Sequence, residues 1–286
     1  MPFPKLSWSK LPWPKLPGFR KPTLEGGWPA QRILVTGASG GIGRALVKEL
    51  AATGAQILAS GRNEAALSAL VAEHPEHIHV MAADLTDADA RARLVEAARR
   101  ADCNVLINAA GINHVGLFEN EADDSIAELI DVNLTATLQL IHQLLPQLMA
   151  ARQGQLVNVG STFGAIGYPS QATYCATKFA MRGFSQALRR ELADTRVRVL
   201  YVAPRATRTA MNSPEVEAMN EALGTTMDTP ERVAKAVRSA IEGQREETQL
   251  GFPEGLFVRL NAIVPRVVDR ALHRQLPIIR RFVGKP

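Results

Sequence analysis

Between residues 33 and 251, short apolar runs alternate with longer segments of helical period. Strand-like runs fall at 33–36, 56–60, 78–82, 104–108, 155–160, 197–202 and 247–250. Helix-like segments fall at 42–53, 64–73, 87–100, 123–151, 172–194 and 230–243. Strands joined through helices in this repeated way imply βαβ units, with parallel pairing and right-handed crossovers. This alternation predicts an α/β chain with one doubly wound parallel sheet and helices on both faces. In such sheets ligands bind beyond the carboxyl ends of the strands. Gly37, Gly61, Asp84, Asn108, Ser161 and Pro204 all follow strand-like runs, so the pattern brings them to one edge.

Two local motifs give that edge a chemistry. Gln31–Thr36 is followed by Gly37-Ala-Ser39-Gly40-Gly41-Ile42-Gly43 and then by a helix-like run from Arg44. Glycines allow a tight turn and a close backbone approach. The helix N-terminus then offers free N–H groups to a pyrophosphate. Such turns also serve packing. Further on, Ser161 precedes Tyr174-Cys-Ala-Thr-Lys178. Tyr174 and Lys178 stand at i and i+4, on one helix face. An ammonium at that range is expected to lower the tyrosine pKa from about 10, which suits proton transfer near neutrality. Taken alone, the pair also reads as a surface Tyr–Lys contact beside an unrelated serine.

Together these residues resemble the short-chain dehydrogenase/reductase family. Thr36, Gly37, Gly41 and Gly43 match its Thr-Gly-x-x-x-Gly-x-Gly turn. Asn108-Ala-Ala-Gly111 is similar to its Asn-Asn-Ala-Gly segment, with Ala109 in place of the second Asn. Asn133, Ser161, Tyr174 and Lys178 fall on its catalytic residues, and the resemblance spans roughly 31–251. It implies a single Rossmann-type sheet, a nicotinamide cofactor and a carbonyl or alcohol substrate. It implies Tyr174 as acid/base and Ser161 as donor to the substrate oxygen. Lys178 would tune Tyr174 and hold the ribose, and Asn133 would place a relay water. Gly37, Ser39, Gly41, Ile42, Gly43, Arg62, Asp84, Asn108, Gly111, Pro204 and Thr209, with Tyr174 and Lys178, would contact the cofactor. The family is commonly dimeric or tetrameric through helices matching 123–151 and 172–194. A non-catalytic NADP(H)-binding sensor or scaffold of the same fold is the alternative, and the intact Asn133, Ser161, Tyr174 and Lys178 set argues against it. The family's extended epimerase branch has a different glycine spacing and a larger C-terminal domain.

The second strand-like run ends at Gly61-Arg62, where an NAD site would place a carboxylate for the ribose 2′-OH. Gly61 leaves room and Arg62 can pair with a 2′-phosphate, so NADP(H) is expected. Ser39 stands where NADP-preferring relatives often have a basic residue. Arg62 also reads as a solvated surface arginine, and Asp84 as either an adenine contact or a helix cap. Arg205 replaces the family's usual Gly after Pro204, which leaves the loop shape open. Met211, Met219, Leu223 and Met227 suit an irregular apolar substrate or ordinary packing. His74, His77 and His79 read as loop residues, and no metal site is expected.

Charge is segregated. Residues 1–30 carry +4, residues 256–286 carry +6, and the intervening 31–255 carry −5. Three parts follow: a basic Pro/Trp-rich tail (1–30), a catalytic domain (31–255) and a basic amphipathic extension (256–286). Lysines among Trp8, Trp13, Phe19 and Trp28 suit a lipid headgroup boundary or a basic leader. Arg266, Arg270 and Arg274 opposite Val267, Val268, Ala271 and Leu272 suit a helix on an anionic membrane. They also suit a cover over the pocket or a subunit contact. No nucleic-acid motif accompanies the basic ends. Two cysteines, Cys103 and Cys175, are expected as free thiols in a reducing, cytoplasmic setting. No apolar run is long enough to span a bilayer, and no secretory signal is read.

Overall fold

The computed structural model describes residues 24–283. Seven strands form one sheet: β1 (Arg32–Thr36), β2 (Gln56–Gly61), β3 (Ile78–Ala82), β4 (Val105–Asn108), β5 (Gln155–Val159), β6 (Arg198–Ala203) and β7 (Glu247–Gln249). Their order is β3-β2-β1-β4-β5-β6-β7, and every pairing is parallel. The chain winds outward from β1 in one direction and from β4 in the other. The crevice between those two halves opens at their carboxyl ends. All seven strands expected from the apolar runs are present.

The helices divide between the faces. One face packs α1 (Gly41–Ala51), α2 (Glu64–Val71) and α8 (Pro230–Glu242), with Leu46, Leu50, Val233 and Val237 against Ile33, Val35 and Ile57. The other packs α3 (Ala88–Arg100), α5 (Ala136–Ala150) and α6 (Ala172–Glu191), with Leu94, Leu140 and Leu188 against Leu34, Leu106 and Leu156. Inward-pointing strand residues alternate between the two clusters, as a pleated sheet covered on both faces requires.

The long 123–151 segment is not one regular helix. It runs as α4 (Asp123–Ile130), a π-helical stretch over Asp131–Thr135, and α5. The wider turn rotates Asn133 inward, where it is buried. Three further helices complete the chain: α7 (Pro214–Ala222), α9 (Glu254–Ile263) and α10 (Pro265–Val283). The sequence pattern did not mark α7, which starts at a Ser213 cap followed by Pro214.

Both flanks are partly built into the folded body. Trp8, Trp13 and Phe19 lie outside the described residues. Trp28 does not face a lipid surface: it packs on the α1/α8 cluster, and its indole N–H donates to Glu242 Oε1 at 2.9 Å. Leu24 packs there too, so the folded body includes residues assigned to the tail. At the other end, Val268 and Ile279 of α10 are buried. Val267 and Ala271 of the same stripe are exposed, so the apolar side of α10 is divided between the protein and solvent. Among the described residues no helix is long and apolar enough to cross a membrane.

The glycine turn depends on one close approach. Gly37 adopts φ +68°, and a Cβ on Gly43 would lie 2.1 Å from the Gly37 carbonyl oxygen. Backbone atoms on both sides cannot yield cheaply. Gly43→Ala is expected to destabilise the chain by roughly 1–3 kcal/mol or more, as overpacking does. A urea titration that finds wild-type stability would show that the turn relaxes around a methyl group.

Candidate active site

The turn after β1 and the N-terminus of α1 form one end of a cavity of about 650 Å³. Gly37, Ser39, Gly41, Ile42 and Gly43 line that end, with Arg62, Asp84 and Gly111 beside them. Ser161, Tyr174, Lys178, Pro204 and Thr209 line the same cavity. No Cβ occupies the glycine floor. Thr209 already leans over it, since a Cβ on Gly41 would meet Thr209 Cγ2 at 2.7 Å. The Ser39 hydroxyl sits beside Gly61, 2.5 Å from where a Cβ would stand. The end of β2 thus presents a hydroxyl and the Arg62 guanidinium, and no carboxylate. A dinucleotide with an anionic centre fits this floor by shape and by charge.

Asp84 is not the helix cap. That role belongs to Asp87, whose carboxylate accepts from Ala90 N–H at 2.8 Å. Asp84 Oδ1 accepts from the Thr86 N–H at 2.9 Å and the Thr86 hydroxyl at 2.7 Å. These two bonds hold its carboxyl below the ordinary range, with a smaller pull from Arg62.

Two sequence-marked asparagines stand behind the cavity wall. Asn108 donates to Asn158 Oδ1 at 2.9 Å, and Asn158 donates to Ser185 Oγ at 2.9 Å, so the pair ties β4, β5 and α6 together. Asn133 Oδ1 accepts from Ile112 N–H at 2.8 Å, and its amide donates to the Ile112 carbonyl at 3.0 Å and to Thr177 Oγ1 at 3.3 Å. The Thr177 hydroxyl in turn donates to the Tyr174 carbonyl at 2.8 Å. One buried amide therefore clasps the π-helical stretch, the loop after β4 and the helix that carries Tyr174 and Lys178.

Burial overturns the expected tyrosine shift. Lys178 Nζ lies 5.4 Å from the centre of the Tyr174 ring, as the i, i+4 spacing requires. Tyr174 nevertheless sits deep enough that desolvation raises its pKa, with the Ser161 hydroxyl pulling the other way. Lys178 is 7% exposed and has no carboxylate partner among the described residues. Desolvation lowers its pKa to about 8. The protein alone therefore disfavours both charged forms, and a polar ligand beside Lys178 would be needed to reverse that.

Several lining residues were not marked by motif. Phe163 stacks on Tyr168 with ring centres 4.8 Å apart and meets Tyr174 edge-on at 6.5 Å. The Tyr168 hydroxyl donates to Gln275 Oε1 of α10 at 3.2 Å. Met211, Val216, Met219 and Leu223 form one apolar wall, and Phe257, Val268 and Leu272 form the cover. Met227, grouped with them by sequence, does not line the cavity. Tyr201 lies under Ser161, its hydroxyl 3.4 Å from both the Ser161 N–H and carbonyl. A tyrosine inside the apolar β6 run was the one available signal for that support.

Arg205 resolves the loop shape. It is buried; Nη2 donates to Asp228 Oδ1 at 2.9 Å, and Nη1 reaches Glu254 Oε2 at 3.2 Å. Asp228 is itself buried and also pairs with Arg232 at 3.1 Å. Arg205 thus joins the Pro204–Thr209 loop to the start of α8 and the start of α9. Among the described residues no cluster of three or more His, Cys, Asp or Glu is arranged to hold a metal. Cys103 and Cys175 are buried free thiols.

Comparison with known proteins matches this geometry to a family. A family model described as short chain dehydrogenase matches residues 31–220. Nodulation protein G of Rhizobium sp. (strain N33) is 37% identical over 215 residues, covering 72% of this chain and 87% of that protein. The 3-oxoacyl-(acyl-carrier-protein) reductase FabG of Rickettsia bellii is 32% identical over 212 residues, with the same coverage of 72% and 87%. A short chain dehydrogenase from Burkholderia cenocepacia, solved in complex with NADP, superposes with a TM-score of 0.74 at 26% identity. It covers 85% of this chain and 97% of that one.

The buried lysine makes a stability prediction with a definite sign. Below pH 8 Lys178 is charged in both folded and unfolded chains, and the folded state carries the whole desolvation cost. That cost fades as the folded form loses its proton, and it vanishes above the ordinary value of 10.5. Lys178→Met is therefore expected to be more stable than wild type near neutral pH, by on the order of 1–3 kcal/mol. The gap should close towards pH 10.5. Urea denaturation at both ends of that window, without added nucleotide, checks it. A variant that is less stable at neutral pH would mean that Lys178 has a compensating partner.

Proposed function

The chain belongs to the short-chain dehydrogenase/reductase family, oxidoreductases of CH–OH and C=O groups, and on that premise we propose an NADP(H)-dependent reductase of an apolar carbonyl. The observation that carries this reading is the convergence of Ser161, Tyr174 and Lys178 on one cavity whose far end is the glycine floor. The residues around that floor would hold the dinucleotide, with Arg62 and Ser39 towards the 2′-phosphate and Thr209 over the pyrophosphate. A bound NADPH supplies the hydride. The Ser161 hydroxyl donates to the carbonyl oxygen and holds it beside Tyr174. As negative charge develops on that oxygen, Tyr174 Oη gives up its proton. A phenol with a raised pKa is a good holder of that proton in the resting site. Lys178, charged below pH 8, stabilises the resulting phenolate across the short separation of the two side chains. Asn133 holds the Ile112 carbonyl and the α6 backbone in register behind Lys178, the place for a water relay that returns a proton to Tyr174.

The apolar walls from Met211 to Leu223 and the cover from Phe257 to Leu272 support a lipid-like substrate. The FabG relative's name gives a reductase of 3-oxoacyl groups on a carrier protein, which accords with reduction as the direction. A sensor or scaffold role without turnover is disfavoured by the intact proton donor. The reading includes a homodimer or homotetramer through α5 and α6, where Met149 and Phe179 are exposed. It also includes a cytoplasmic setting, supported by two buried free thiols, with contact to anionic membrane through the basic ends.

Two substitutions test it. Tyr174→Phe keeps the ring and removes the proton, so turnover of an apolar ketone should fall by ~10²–10⁴-fold while NADPH binding persists. Near-normal turnover would remove Tyr174 from the reaction. Arg62→Ala should weaken NADPH binding by about 10–100-fold and leave NADH almost unchanged, the loss of one charge-assisted contact. Equal weakening of both cofactors, measured by fluorescence titration, would assign Arg62 to structure.

A further inference from the structure

The twelve large apolar side chains that stand exposed on the described chain are not scattered. Six of them fall within one stretch: Phe252, Leu256, Phe257, Ile263, Val264 and Val267, with Phe252 and Ile263 each 80% exposed. The stretch is the turn into α9, α9 itself and the elbow where α9 meets α10. Leu256 and Ile263 lie seven residues apart, so they share one stripe of α9, and Arg259 stands on the same side. Arg266 and Arg270 continue from the elbow into α10 and are exposed. None of these three arginines forms an ion pair among the described residues, and Asp269 is the one acidic residue between 255 and 283. The opposite side of the same two helices is engaged with the body. Asn261 donates to the Ala165 carbonyl at 2.9 Å, Val268 is buried, and Phe257 and Leu272 line the cavity.

We propose that the α9–α10 elbow docks on an anionic lipid surface and sets the mouth of the cavity against it. The surface itself stands on exposure and charge alone. Its role in delivering substrate rests on the apolar-carbonyl reading above. Bulky apolar tips with unpaired arginines at their margin are what an interfacial segment needs, apolar groups entering roughly 5–10 Å and cations meeting phosphates. A second copy of the chain fits less well. A two-fold contact sets a patch against itself, which would bring the three arginines towards their own copies with one aspartate to offset them. The body, at −5 over residues 31–255, would be repelled by the same membrane, so the elbow also orients the molecule. Phe257 belongs to both the exposed patch and the cavity lining, so the docking surface borders the cavity.

The test uses the full chain and needs no substrate. Co-sedimentation compares vesicles of phosphatidylglycerol with phosphatidylcholine against vesicles of phosphatidylcholine alone. Wild type should bind the anionic vesicles, more weakly as salt rises. Arg259→Gln/Arg266→Gln/Arg270→Gln should bind about 100-fold more weakly, roughly fivefold per arginine. Leu256→Ser/Ile263→Ser should lose at least about tenfold. All five positions are outside the cavity lining, and thermal melting checks that both variants remain folded. Wild-type binding by both variants overturns the proposal, most directly if removing residues 1–23 abolishes it. A wild type that ignores anionic vesicles at low salt overturns it too. So does a change in oligomeric state on light scattering with vesicle binding unaltered, which would give the elbow to a second copy. A protein that binds vesicles through the elbow but reduces no carbonyl would keep this proposal and remove the reductase reading.

Discussion

Parallel pairing of β1 with β2 on one side and β4 on the other is the constraint from which the site follows. Parallel strands must be joined by crossovers, and a right-handed crossover cannot lie on both faces at once. The chain therefore winds one way through β2 and β3 and the other way through β5, β6 and β7. At the divide, no crossover fills the space above the carboxyl ends. The turn after β1 enters that space first, and its glycines let the backbone approach without a side chain intervening. The segments after β4, β5 and β6 arrive at the same height because the strands are in register. Ser161 and Pro204 meet there although 43 residues separate them, and a backbone bond from Thr162 N–H to the Pro204 carbonyl at 2.8 Å records it.

Electrostatics inside this crevice are set by burial more than by neighbours. Helix geometry brings Tyr174 and Lys178 together, and in water that would be enough to favour the phenolate. In the folded chain Lys178 is buried and Tyr174 is half-buried in the cavity wall, so both have lost part of their hydration. The cost of a charge then outweighs an attraction acting over several ångströms. The site is consequently poised: the proton stays on Tyr174 and Lys178 is only marginally held as a cation. A ligand that set polar groups beside Lys178 would offset part of that cost.

The C-terminal helices change what the fold can accept. A doubly wound sheet alone leaves its crevice open to solvent. Here α9 and α10 lie across it, held by Asn261 on Ala165, Gln275 at Tyr168 and Glu254 at Arg205. The Arg205 contacts are the unusual ones. A buried guanidinium with two carboxylates gains little net stability over an apolar contact, yet breaking it is costly because the remaining charges stay buried. Such a joint fixes relative position more than it adds strength. It links the loop carrying Thr209, which leans over the glycine floor, to the helix that begins the cover.

What the sequence determined by itself was local and periodic. Apolar alternation placed all seven strands, and glycine spacing marked the turn. Tyr174, Lys178 and Ser161 were legible because short-range spacing fixes a helix face. Asn133 was legible as a residue, but its clasp on Ile112 and Thr177 needs a π-helical stretch that no pattern announced. The fold decided the rest. The apolar face of α10 reads the same whether it meets lipid or protein, since hydrophobic burial has no direction. The fold turned Val268 and Leu272 to the cavity and left Val267 exposed at the elbow. Trp28 read as a membrane aromatic until Glu242, 214 residues away, gave its indole a partner. Arg205 read as a misplaced residue in a glycine position, because Asp228 and Glu254 approach it only in three dimensions. Tyr174 moved opposite to its expected shift because pKa depends on the surrounding dielectric, and burial is a property of the whole chain.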